Sequence, residues 1–331
     1  MTLRNCTERQ DVFASVIIPT CNRAAYLQDI MRCVSRQTVP GDQYEIIVVD
    51  NGSTDDTYQI MAPIVEQDCT VHYLQESRIG LHNARHAGAR VARSEVLVYV
   101  DDDVIMQPEW LKAILKPFED PLVAVVGGKI LPKWEAEPPA WLDQFGRNGG
   151  VNLSVLDLGD ETLELAWPQT VYGCNMSVRK SVLFEIGGFN PDAISDHRLI
   201  WLRGDGETGL HQKIYDAGYR VIYEPRAWLY HRVPASRLEQ GYFFWRAFIQ
   251  GISDSYTHMR TNRSSAIQLL LHAGSCIVGA AQAYTSSLRL ADRRIYWRAK
   301  SWYWYGRCKH QLRLASSQSL RNYVLQERYL K

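Results

Sequence analysis

The chain has 331 residues, 46% hydrophobic and 22% charged, which is ordinary for a folded globular protein and leaves room for one large domain or a domain with an appendage. Its net charge of +1 conceals an asymmetry: residues 232–331 carry 16 Lys/Arg against 4 Asp/Glu, a balance of +12, while residues 1–231 have a balance of −11. The seven cysteines (Cys6, Cys21, Cys33, Cys69, Cys174, Cys276 and Cys308) are scattered, odd in number and form no CxxC, which excludes a zinc ribbon and argues for reduced thiols in the cytoplasm. Met1 to Phe13 is polar and lacks the apolar stretch of a signal peptide.

In chain order, Ser15-Val16-Ile17-Ile18-Pro19 reads as a short buried strand, and Ala24 to Gln37 as a helix with Leu27, Ile30, Met31 and Val34 on one face. Tyr44 to Val49 is a second apolar strand, Thr54 to Gln67 a helix, Thr70 to Leu74 a strand and Gly80 to Ala92 a helix. Val96 to Val100 is a further strand. Continuous apolar strands separated by helices predict an α/β fold with a mostly parallel, Rossmann-like sheet covered by helices on both faces. A strand at Val123 to Gly128 follows, then an irregular stretch over 129–168 suited to a loop-rich face or lid. Gly173 to Met176 is expected to lead into a helix ending at Gly187-Gly188-Phe189, Gly204 to Gly209 opens another, and a strand from Tyr219 to Tyr223 runs into a Glu224-Pro225 turn. From about residue 236 the pattern is helical to the end. The expected division is therefore a body, 1–235, and a basic, aromatic-rich helical extension, 236–331. Ala266 to Tyr284 is apolar, but Gln268, His272, Ser275 and Gln282 interrupt it as a transmembrane span. There is no internal repeat or low-complexity tract.

Ligands of such sheets bind beyond the carboxyl ends of the strands. Three polar clusters fall there: Thr20-Cys21-Asn22-Arg23, Asp50-Asn51-Gly52-Ser53 and the triplet Asp101-Asp102-Asp103. Three adjacent carboxylates at a strand exit repel one another unless a cation joins them. Strand alternation places Asp101 and Asp103 on one face and Asp102 on the other, so one face offers two hard oxygen ligands suited to Mg²⁺ or Mn²⁺. Asp50 at its strand end can accept from the imide of a uracil or the donors of a guanine; an Asx turn or helix cap explains it equally well.

The ordered series Val16-Ile17-Ile18-Pro19-Thr20-Cys21-Asn22-Arg23, Ile47-Val48-Val49-Asp50-Asn51-Gly52-Ser53, Gly80-Leu81-His82-Asn83-Ala84-Arg85 and Asp101-Asp102-Asp103 resembles that of family 2 nucleotide-sugar glycosyltransferases. Gly173-Cys174-Asn175-Met176, Gly187-Gly188-Phe189, Asp205-Gly206-Glu207-Thr208-Gly209-Leu210 and Tyr230-His231 continue it, so that it spans about 14–231. The resemblance implies a glycosyltransferase A-type fold, a UDP- or GDP-linked sugar donor, Mn²⁺ or Mg²⁺, an inverting mechanism, and a glycan or lipid-linked acceptor in polysaccharide or glycoconjugate biosynthesis. It implies a donor pocket of Pro19, Thr20, Arg23, Asp50, Gly52, Ser53, Arg85, Asp101 and Asp102. Metal contacts would come from Asp101, Asp103 and His231. The turn at Gly173, Cys174 and Asn175 would shape an acceptor pocket, and Trp134 or Trp141 would stack on sugar faces unless core packing claims them. Inversion needs an acceptor-side base. The family usually supplies it from a Glu-Asp pair at a helix start; this chain departs from that pattern, and counting back from Leu210 favours Glu207, with Asp205 as competitor.

Two other function classes suit the sequence less well. Nucleotidyl transfer usually needs a glycine-rich, basic loop after the first strand, which Pro19 to Arg23 is not. A non-catalytic sugar-nucleotide binder would not need Glu207. The tail segment Arg293 to Tyr305 interleaves basic and aromatic residues. It suits an anionic membrane surface, and so a peripheral location on the inner face of the cell membrane; an oligomer contact stays open, and no nucleic-acid motif accompanies it.

Overall fold

The computed structural model describes residues 12–194, 196 and 198–330; Cys6, most of the polar N-terminal stretch and Lys331 lie outside the described residues. The first half alternates as expected: β1 (Ala14–Thr20), α1 (Ala24–Val34), β2 (Tyr44–Asp50), α2 (Thr57–Gln67), β3 (Val71–Gln75), α3 (Leu81–Val91) and β4 (Val96–Val100). β1 and β2 are buried at every position, which is why their apolar runs do not alternate. α1 buries the four predicted residues Leu27, Ile30, Met31 and Val34. Then come β5 (Val104–Met106), α4 (Trp110–Leu115), β6 (Val123–Trp134), β7 (Leu163–Leu165), β8 (Asn175–Arg179), α5 (Lys180–Glu185), α6 (Gly206–Asp216) and β9 (Arg220–Val233). The chain closes with α7 (Gln240–Asn262), α8 (Ala266–Arg289), α9 (Arg294–Ser316) and α10 (Gln318–Val324).

All nine strands form one sheet, ordered β3-β2-β1-β4-β8-β6-β9-β5, with β7 also on β9. The β3-β2-β1-β4 half is parallel, and the register Thr20↔Asp50 brings the ends of β1 and β2 level. The other half is mixed: β8 is antiparallel to both β4 and β6, β9 runs parallel to β6, and β5 is antiparallel to β9.

Three local readings are corrected. Residues 175–179 are a strand before the helix, because Asn175 to Val178 fill the buried gap between β4 and β6. Residues 129–134 continue β6, and the stretch beyond holds 3₁₀ turns over 140–145 and 147–153. Glu224-Pro225 lies inside β9 rather than at its end. The β6–β9 pairing skips from Glu224 to Leu229, so the proline's missing N–H falls in the irregular stretch.

In the C-terminal region α9 packs against both α7 and α8. Gly251 on α7 and Gly306 on α9 each face the other helix's backbone, and a Cβ at either would collide with it. Thr257 of α7 donates to Asp205 Oδ2 at 2.7 Å, and the backbone N–H groups of Tyr329 and Leu330 both donate to Gly187 O at 2.9 and 3.0 Å. The helices are thus fastened to the body at the start of α6 and behind α5.

Candidate active site

The exits of β1, β2 and β4 meet on one rim. Thr20 Oγ1 donates to Asp102 Oδ2 at 2.7 Å, Asn22 N to Ser53 Oγ at 2.9 Å, and Arg23 Nη1 to Asp103 Oδ2 at 2.5 Å. Asp50 accepts from Ser53 N at 2.7 Å and Tyr73 Oη at 2.5 Å, so the Asx turn is what forms; each oxygen keeps a second lone pair. Gly52 supplies the positive φ of that turn. Pro19 sits one position inside the rim, paired with Val49.

Asp101 to Asp103 form the turn between β4 and β5. Antiparallel pairing of β5 with β9 sets Val104 opposite His231, which carries a histidine 128 positions away onto the triplet. Ligand atoms of Asp101, Asp103 and His231 lie within 4.8 Å of one another. His231 Nδ1 is 3.0 Å from Leu153 O and donates to it, so Nε2 is the atom presented to the carboxylates. Asp103 Oδ1, 3.3 Å from that nitrogen, is buried with no hydrogen-bond partner. Arg237 Nη2 reaches Asp103 Oδ2 at 2.9 Å, and its Nη1 lies 3.1 Å from His231 Nε2. Burial alone would raise the Asp103 carboxyl, yet contact with His231, Arg23 and Arg237 holds it well below the usual carboxylate range. Asp102 faces away toward Thr20, and burial pushes its carboxyl up to about 7. Two carboxylates, one of them with an orphaned oxygen, and an imidazole nitrogen fit a hard divalent ion such as Mn²⁺ or Mg²⁺.

Beside this cluster opens a cleft of about 530 Å³, lined by Asp101, His231, Gly173, Glu207 and one face of α7 from Tyr242 to Thr257 among others. Glu207, in the first turn of α6, receives Arg85 Nη1 on Oε1 at 2.9 Å; Arg85 Nη2 stands 3.8 Å from Asp101 Oδ1. Arg85 is 1% exposed, with its guanidinium 5.2 Å from the Phe189 ring centre. His82 and His86, on the same helix, accept from the backbone N–H groups of Asp192 and Phe189; burial lowers both rings, His82 to about 4. Gly173 lies against the Glu207–Arg85 pair, where a Cβ would strike both side chains. Asp205 behaves differently from Glu207. Both its oxygens are taken, by Asn190 Nδ2 and Thr257 Oγ1 at 2.7 Å each, and desolvation raises its carboxyl.

Arg85 is closed off from solvent and bridges Glu207 and Asp101. Three sequence expectations change. Asn175 points into the core instead of an acceptor pocket: Trp110 Nε1 donates to its Oδ1 at 2.8 Å, and its amide donates to Ala227 O and Lys129 O. Trp134 packs against the cluster of Leu142, Leu153, Val233 and Phe243, and Trp141 joins it edge-on to Phe243; neither lines the cleft. Asp205 ties α6 to α7. Gly173 and Cys174 do line the cleft.

The sequence reading missed Tyr73, Arg237 and the inner face of α7. Tyr242, Arg246, Gln250 and Asp254 recur every four residues and all border the cleft. That polar stripe is legible at helical spacing, once something shows which way the helix faces.

The sequence profile described as "Glycosyl transferase family 2" matches residues 15–187, just over half of the chain. Among curated proteins, the glucosyl-dolichyl phosphate glucuronosyltransferase of Haloferax volcanii is 25% identical over 249 residues, covering 72% of this chain and 75% of that protein. The O-antigen chain rhamnosyltransferase RfbN of Salmonella typhimurium is 25% identical over 221 residues, covering 66% of this chain and 65% of its own length. Among solved structures, the mannosyltransferase PcManGT of Pyrobaculum calidifontis, in complex with GDP-Man and Mn²⁺, superposes with a TM-score of 0.60 at 20% identity. It covers 92% of this chain and 88% of its own, and shows that the fold is shared. Together with the ordered motifs on the strand rim, the profile match establishes that this chain is a glycosyltransferase belonging to glycosyl transferase family 2.

Proposed function

We propose that the chain transfers a sugar, with inversion, from a nucleoside diphosphate donor to a hydroxyl of a glycan or lipid-linked acceptor during glycoconjugate or polysaccharide assembly. The observation that carries this reading is the adjacency, in one cleft, of the Asp101–Asp103–His231 cluster and the Glu207–Arg85 pair. Asp101, Asp103 and His231 would hold a divalent ion, which when bound offsets negative charge on the diphosphate. Arg23 and Arg237 both reach Asp103 and stand where phosphate oxygens would arrive. Glu207 takes the proton from the acceptor hydroxyl as its oxygen bonds to the anomeric carbon. The bond from that carbon to the phosphate oxygen breaks on the opposite face, which inverts the centre. Arg85 fixes the direction of Glu207. Asp50, Ser53 and Gly52 form the ledge for the base, with Pro19 and Thr20 behind it. The names of the archaeal and Salmonella relatives support a lipid-linked or polysaccharide acceptor. The Glu207–Arg85 pair favours transfer over simple nucleotide binding.

The surface of the C-terminal helices supports a peripheral location. α8 is long and apolar enough to cross a bilayer by length and composition. It buries Leu269, Ala273, Cys276, Ala283 and Ser287, and leaves Ile267, Leu271, Ile277, Val278 and Leu288 more than half exposed. Next to that stripe α9 carries Arg294, Arg298 and Lys300, so the pair suits peripheral binding to an anionic bilayer.

Thermal melts of the full chain with UDP, GDP and other nucleoside diphosphates, each with and without Mn²⁺, test the reading. At least one should raise the melting temperature only with the metal. No stabilisation by any of them with Mn²⁺ or Mg²⁺ would sink the donor assignment, and no co-sedimentation with anionic vesicles at low salt would sink the membrane assignment.

A further inference from the structure

The end of the cleft away from Asp103 is walled by α7 and by the loop before α6. Two arginines line it, Arg203 from that loop and Arg246 from α7. Arg203 Nη2 is held by Asp192 Oδ1 at 3.0 Å, but its Nε is buried with no hydrogen-bond partner. Arg246 Nε is likewise buried and unpartnered, and among the described residues no hydrogen bond or ion pair fixes the Arg246 side chain. Burial, together with the nearby charges of Arg203 and Arg237, lowers the Arg246 guanidinium from its ordinary value, despite Tyr242 and Asp192 acting the other way. A buried donor without an acceptor is costly, and neither Nε has one among the described residues.

We infer that Arg203 and Arg246 form a subsite for an anionic oxygen group, phosphate or carboxylate, carried by the acceptor. A guanidinium presents parallel N–H donors matched to two oxygens of one such group, and charge assistance makes that pairing stronger than one to neutral sugar hydroxyls. The position separates this site from the donor's diphosphate. Arg237, in the turn before α7, serves Asp103 and His231, while Arg246 lies six residues beyond Gln240, about 9 Å farther along the helix axis. Gln250 and Asp254 continue the same stripe, and Thr257 anchors the helix through Asp205, two residues from Glu207. Asp192, which holds Arg203, lies against Gly206 beside Glu207, so an anion held between Arg203 and Arg246 lies on the Glu207 side of the cleft, where the incoming hydroxyl is expected. Assignment to the acceptor rests on the glycosyl-transfer reading above; the existence of an anion site does not.

The test is calorimetric titration of the full chain, with Mn²⁺ and the best-stabilising nucleoside diphosphate both saturating so that the donor end is filled. Glucose 1-phosphate, glucuronate and neutral glucose are the probes, against wild type, R246Q and R246K. The expected result is that at least one anionic probe binds wild type and binds R246Q at least about tenfold more weakly, with R246K between them and glucose indifferent to all three. A loss confined to glucose 1-phosphate identifies the group as phosphate, and a loss confined to glucuronate identifies it as carboxylate. Equal anion affinity in wild type and R246Q, or no anion binding by wild type, overturns the subsite, provided R246Q melts as wild type does; if it does not, R246K against wild type decides in the same way. Anion binding that vanishes when the nucleoside diphosphate saturates also overturns it, because the two would share one site. If no nucleoside diphosphate binds, the donor reading fails, yet Arg246-dependent anion binding still upholds the subsite.

Discussion

The two rims crossed by β2 carry buried carboxylates with opposite habits. At its start Glu45 is saturated: Ser15 Oγ and Arg93 N donate to one oxygen at 2.6 Å each, and Arg93 Nε at 2.8 Å and His72 Nε2 at 3.3 Å meet the other. At the far rim β4, two strands along, delivers Asp101 and Asp103, where Oδ1 of Asp103 has no hydrogen-bond partner and a cleft opens beside Glu207. Both groups are surrounded by cations, so charge pairing alone does not distinguish scaffold from site. Unfilled lone pairs beside space do.

The sharpest way to break that contrast is to neutralise one carboxylate of each kind. Glu207→Gln keeps the shape and the Arg85 contact but removes the proposed base, so turnover should fall about 10²–10⁴-fold with donor affinity unchanged. Steady-state kinetics beside donor titration checks this, and normal turnover would return the role to another group. Gly173→Ala drives a Cβ into the Glu207–Arg85 pair and should lower kcat/KM by roughly 10²-fold while the melting temperature falls only modestly. Glu45→Gln should leave kinetics alone and cost about 3 kcal/mol in urea unfolding at neutral pH.

The pH dependence of that loss has a definite sign. Burial raises the Glu45 carboxyl, but His72, Ser15 and Arg93 outweigh it and bring it down to about 2 from an ordinary 4.5. Because the folded value lies below the unfolded one, the stabilisation is complete above about pH 4.5 and is lost as the pH falls toward 2. The wild type should therefore lose its advantage over the Gln variant across that window. The smallest effect is expected at Asp205→Asn: about 1–2 kcal/mol of stability from the weakened Thr257 and Asn190 contacts, and less than a tenfold change in kcat. A larger kinetic loss there than at Glu207 would reverse the assignment of the base.

How much of this was legible depends on the distance over which each feature is assembled. The donor rim is built from short runs at strand exits, so Thr20, Asp50 and the aspartate triplet declare themselves locally. Asn175 misled because its motif position says nothing of which way a strand residue points; the antiparallel insertion of β8 turned it toward Trp110. Glu207 and Asp205 could not be separated from sequence, since the partner that occupies Asp205, Thr257, lies 52 positions away on another helix. Arg237 and the α7 stripe were readable as polar periodicity, but their orientation is a property of the packed molecule.

From Arg226 to Val233 strand β9 alternates, with Ala227, Leu229, His231 and Val233 buried and the residues between them more open. Arg232 accordingly reaches the other way, to Asp29 at 2.7 Å. This strand works as a ruler with a step of one residue. Deleting any single position in the stretch would present Arg232 or Tyr230 to the carboxylates in place of the imidazole, while the overall fold could persist. Length variation among related chains should therefore avoid this stretch and collect in the loops, where one residue more or less moves no side chain across the sheet.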